Sequence, residues 1–184
     1  PTPTGERTKL LNLLFGHAQR VVTAELPALH EVRLPVSRKL RQRIGIIQEL
    51  LETLVQEYFN SLSELFDPRS ATPQHAPQDT LHRVMQCIAW HIRISHLVAA
   101  PNGVGIWQKL HAAYRTARRL GLADSPATDD GPSIQQSYVR ILLAAIAQPT
   151  LENVRQRFDA LPDDPGFLNV VRFLVEEIGR ASCR

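Results

Sequence analysis

The stretch Val36–Phe66, VSRKLRQRIGIIQELLETLVQEYFNSLSELF, decides the fold. It holds one glycine, Gly45, and no proline. Leu40, Ile44, Ile47, Leu51, Leu54, Tyr58, Leu62 and Leu65 recur at steps of three and four, which lines them up on one stripe of an α-helix. Ile46, Leu50, Val55, Phe59 and Phe66 widen the apolar face beyond a two-position coiled-coil seam. A helix apolar over so much of its circumference packs inside a bundle, with neighbours on two sides. Ser37 is placed to cap it, unless Pro35-Val36 begins it instead.

Toward the N-terminus, residues 1–5 are read as disordered, because two prolines, two threonines and a glycine bury nothing. From Glu6 a helix is expected, with Leu10, Leu13, Leu14, Ala18 and Val21 or Val22 on one face. Pro27 and Pro35 bracket ALHEVRL, a turn of helix or an extended connection.

Toward the C-terminus, DPRSATPQHAPQD (67–79) holds three prolines and reads as a surface loop. Asp79 or Thr80 can cap a helix through Leu81, Val84, Met85, Ile88, Ile92 and Ser95, ended by the turn Pro101-Asn102-Gly103. The next helix runs from about Gly105 to Leu120, and Gly121 supplies a left-handed C-terminal cap. After the loop ADSPATDDGPS (123–133) comes an almost continuously apolar helix, Ile134–Ala147. Further helices are expected from Thr150 to Leu161 and, with Pro165 in the first helical position, through Phe167, Val170, Val171, Leu174 and Ile178.

No alternating apolar–polar run flanked by hairpin turns occurs. The expected fold is therefore all-α, with about seven helices in a multi-helical bundle or in stacked antiparallel hairpins, and no β-sheet. It forms one domain over 6–179, with possible sub-units 6–66 and 80–179 on either side of loop 67–79. Residues 180–184 form a tail, frayed or appended, to which no role is given.

With 184 residues, 43% of them apolar and 21% charged, the chain can bury one sizeable core. A formal charge of +3 gives no strong push toward nucleic acid or an anionic membrane. The two cysteines, Cys87 and Cys183, make no disulfide framework, and a cytoplasmic setting is expected. No apolar run is long enough for a membrane span, and the N-terminus lacks the apolar core of a secretion signal.

Candidate chemistry is sparse. Cys87 and His91 stand four apart on one helix, a usable ligand spacing, but no further ligand joins them, so no metal site is expected. Asp124, Asp129 and Asp130 share a loop without calcium-loop spacing. No nucleophile elbow, phosphate-cradling loop or cofactor fingerprint is present, so no catalytic residue and no cofactor is assigned. A ligand pocket or enzyme site built from His91, His96, His111 and Trp107 is the least favoured reading.

Arg38, Lys39, Arg41 and Arg43 cluster near the start of the long helix, where cations oppose the helix dipole. They can serve a phosphate or an acidic partner, or stand solvated, paired with Glu31 or Glu49. Arg115, Arg118 and Arg119 fall at a helix C-terminus, where the dipole favours them. Trp107-x-x-Leu110-x-x-x-Tyr114, followed by Ala117, half-matches the first helix of a tetratricopeptide repeat, but His111 replaces the glycine and no copy follows about 34 residues on. A buried ladder in a helical hairpin explains the same residues. Arg38, Arg41, Arg43 and an exposed rim at Trp107 and His111 are the expected interaction surface.

WQKLHAAYRTARRLGL and SYVRILLAAIAQPTLENV, within residues 105–155, resemble the helical N-terminal region of large bacterial PilZ-containing proteins, in which a Trp-x-x-Leu-His-x-x-Tyr-x-x-Ala helix precedes a Tyr-x-x-x-Leu-Leu helix ending at a proline. In that family cyclic-di-GMP binds a β-barrel that follows the helices, through Arg-x-x-x-Arg and Asp-x-Ser-x-x-Gly elements. Arg115 and Arg119 share the first spacing on a helix, and the second element is missing. The resemblance thus implies the helical part of a signalling protein, without direct cyclic-di-GMP binding by this chain. The function expected is a non-catalytic regulatory or protein-interaction domain, with a protein or a second copy as partner and no nucleic acid. The alternative is a free-standing helical scaffold that homodimerises through an apolar helix face.

Overall fold

The computed structural model describes residues 3–30, 36–64, 77–97 and 104–146. They form five helices: α1 (Pro3–His30), α2 (Arg38–Glu64), α3 (Pro77–Leu97), α4 (Val104–Arg119) and α5 (Ile134–Ile146). The fold is all-α. Among the described residues there is no strand, only an isolated antiparallel bridge between Pro126 and Ser133. The helices expected at 150–161 and 165–178 lie outside the described residues, as do the tail and most of loop 67–79.

Several helix ends follow from local chemistry. Ser37 caps α2: its hydroxyl accepts from the Leu40 N–H at 3.2 Å, and its carbonyl takes the Arg41 N–H at 2.9 Å. Gly121, at φ 70°, ends α4 in a left-handed turn. Its N–H bonds the Arg118 carbonyl at 3.1 Å while the Leu122 N–H bonds that of Ala117 at 2.8 Å, the double closure of a Schellman cap. Ser133 and Gln136 cap α5 reciprocally, the Ser hydroxyl accepting from the Gln136 N–H at 3.1 Å and the Gln136 side-chain Oε1 from the Ser133 N–H at 2.9 Å.

The first helix departs from expectation at both ends. It includes residues 3–5 and runs on through Pro27 to His30. An interior proline costs about 3 kcal/mol by losing one hydrogen bond and crowding the previous turn. Leu29, in the turn beyond it, is fully buried, which contributes a comparable 1.5–3 kcal/mol, roughly, and offsets the break. The buried stripe of α1 is Leu11, Ala18, Val22 and Leu29, while Leu10 and Leu13, expected beside Ala18, face outward.

Side-chain pairs fix the packing. Arg7–Glu57 and Glu25–Arg43 run α1 antiparallel to α2. Gln48–Ser95 and Glu52–His91 run α2 antiparallel to α3. The long helix α2 thus has its two neighbours, but α3 is the hub, touching α1, α2, α4 and α5. Its Leu81, Val84, Cys87, Ile88 and Ile94 have no exposed surface at all. The widened face of α2 divides accordingly: Val55 is fully buried, Leu50 and Phe59 are half-buried, and Ile46 is exposed.

Candidate functional site

Buried polar groups come first, since they are where chemistry would concentrate. His91 on α3 is buried and places Nε2 2.8 Å from Glu52 Oε1 on α2. One turn on, the Ser95 hydroxyl donates to the His91 carbonyl at 2.9 Å and accepts from Gln48 Nε2 at 2.7 Å. This ladder pins α2 against α3. Cys87, a turn before His91, is sealed in apolar surroundings, and burial pushes its thiol up to about 12, so it stays a protonated, inert packing group at neutral pH. Among the described residues no group of three His, Cys, Asp or Glu side chains is placed to hold a metal ion.

A second buried set joins α4 to α5. His111 Nδ1 lies 3.0 Å from the Tyr138 hydroxyl, and the Tyr138 ring stacks on Tyr114 with centroids 4.2 Å apart and planes within 4°. Trp107, Leu110 and Ala117 complete this ladder in the core. Trp107 and His111 therefore do not form the exposed rim expected of them. Trp107 is 7% exposed and His111 2%. Their correction has a simple cause, because the tyrosine that accommodates the histidine stands 27 residues along the chain.

The other expected surface residues do reach solvent. Arg38 and Arg41 are exposed in the first turn of α2. Arg43, a turn later, pairs with Glu25 of α1, and Glu31 lies outside the described residues. This places it on the outer face of the α1–α2 hairpin. That face is the surface feature the sequence reading did not isolate. It carries Leu10 (56% exposed), Leu13 (71%) and Ile46 (68%), all three of the exposed large apolar side chains among the described residues.

Two stripes build the face. On α1, Arg7, Leu10, Leu14, Val21 and Glu25 fall at helical steps along one side; on α2, Arg43, Ile46, Leu50, Thr53 and Glu57 do the same. Each stripe is charged at its ends, with exposed His17 on α1 and exposed Thr53 on α2 among the apolar residues between. Arg7 pairs with Glu57 at 2.7 Å at one end of the hairpin, and Glu25 with Arg43 at the other. Leu14, Val21 and Leu50 lie half-buried between. Counting the spacing of apolar residues around α1 (Leu10, Leu11, Leu13, Leu14 and Phe15 in one run) is the signal that reveals more apolar surface than one stripe can bury.

No helix among the described residues is long and apolar enough to cross a membrane. Residues 1–157 match the family model described as the N-terminal domain of the cyclic-di-GMP receptor FimW, a longer span than the two stretches that carry the resemblance. No curated protein and no solved structure matches the chain.

Proposed function

The chain belongs to the family of FimW N-terminal domains, and from that membership we propose that it is a non-catalytic regulatory and protein-interaction domain of bacterial cyclic-di-GMP signalling. It works in the cytoplasm as the helical part of a larger receptor. Cyclic-di-GMP itself binds outside this chain, in a PilZ-type barrel that carries the Arg-x-x-x-Arg and Asp-x-Ser-x-x-Gly elements.

The family match over residues 1–157 is the observation that carries this reading. The interior supports it. Its buried His91, Ser95 and His111 hold helices together through Glu52, Gln48 and Tyr138, while His91 Nδ1 has no hydrogen-bond partner among the described residues. Arg115 and Arg119, which share the Arg-x-x-x-Arg spacing, stand exposed toward the C-terminal end of α4. What the fold offers a partner is surface: the basic first turn of α2 with Arg38 and Arg41, and beside it the outer face of α1–α2.

Calorimetric titration with cyclic-di-GMP tests the reading, using this chain and the uncut protein side by side. The expected result is binding by the uncut protein and no heat with the chain alone. Saturable one-to-one or two-to-one binding by the chain alone would overturn it, and would move the receptor site into the helices.

A further inference from the structure

We draw no further inference here: the strongest candidate, the cationic surface patch on the first turn of α2 where Arg38, Lys39 and Arg41 stand exposed, is a helix N-terminus with no second observation beside it to show what anion or partner meets it.

Discussion

His91 reaches from α3 to Glu52 on α2, with Nε2 and Oε1 2.8 Å apart, although the histidine side chain is 2% exposed and the glutamate 54%. The pair straddles the boundary between core and water. Its buried half fills volume, and its exposed half supplies a hydrogen-bond acceptor in a place where solvent screens charge. Together with Gln48–Ser95 it sets where α2 sits along α3, and hence how the outer face of α2 is presented to solvent.

That division predicts an asymmetry. His91→Ala leaves a cavity in the hub of the bundle and should lower stability by about 2–4 kcal/mol, by analogy with other large-to-small core changes. Glu52→Gln keeps a carbonyl oxygen for the imidazole and removes only a screened charge, so it should cost less than about 1 kcal/mol. Urea unfolding of both variants decides the matter. Equal losses would mean that the charge, not the packing, holds this junction.

Two leucines two residues apart on α1 should behave in opposite ways. Leu11 is 6% exposed and belongs to the core, whereas Leu13 is 71% exposed. Leu11→Ala should cost about 2–4 kcal/mol, and Leu13→Ala no more than about 0.5 kcal/mol. Thermal or urea unfolding of the two variants at low protein concentration, where self-association does not contribute, separates them. A large loss for Leu13→Ala would place that side chain in the core.

The same pair shows what the sequence could and could not say. The all-α architecture was legible because apolar residues at steps of three and four repeat through every helix, and caps such as Ser37 and Gly121 act within a few residues of themselves. Which stripe of α1 is buried was not legible. Leu10, Leu11, Leu13, Leu14 and Phe15 satisfy the helical period in two overlapping ways, and the choice belongs to α2 and α3. His111 failed for the same reason. A histidine reads as a surface residue until a tyrosine 27 residues away is seen to meet it. Arg43 pairs with Glu25 of the neighbouring helix, a partner that no spacing within its own helix could reveal.

Gly121 offers a test of local geometry with packing removed from the question. A Cβ added there would meet nothing within 4 Å, so any cost of substitution comes from its φ of 70°. Gly121→Ala should destabilise by about 1 kcal/mol, and Gly121→Asn by less, because asparagine tolerates the left-handed region better. Gly131 is the contrast. Its Cβ would stand 2.7 Å from Thr128 Oγ1 and 3.2 Å from the Thr128 backbone nitrogen, a crowding that rotation of the threonine side chain relieves only in part. Urea midpoints for Gly121→Ala, Gly121→Asn and Gly131→Ala should therefore follow backbone strain in the first two and crowding in the third.

Alkali should unfold this protein through two buried acids. Burial raises the Cys87 thiol from 9.0 to about 12, and burial raises the Tyr58 hydroxyl from 10.0 to about 12, the nearby Arg83 guanidinium opposing the latter shift. In the unfolded chain both groups ionise at their ordinary values, while in the folded chain they hold their protons longer. The unfolded state thus binds fewer protons above pH 9, and stability falls as pH rises through the window from 9 to about 12. More than about one pH unit below 9 neither group contributes a slope. Within the window each group removes up to about 1.4 kcal/mol per pH unit, with Cys87 acting first. Unfolding by urea at pH 8 and again at pH 10.5 should show a marked loss. In Cys87→Ala the loss over the same interval should be smaller, whatever that substitution costs at pH 8. An unchanged pH slope in that variant would mean that the thiol is not held protonated by the core.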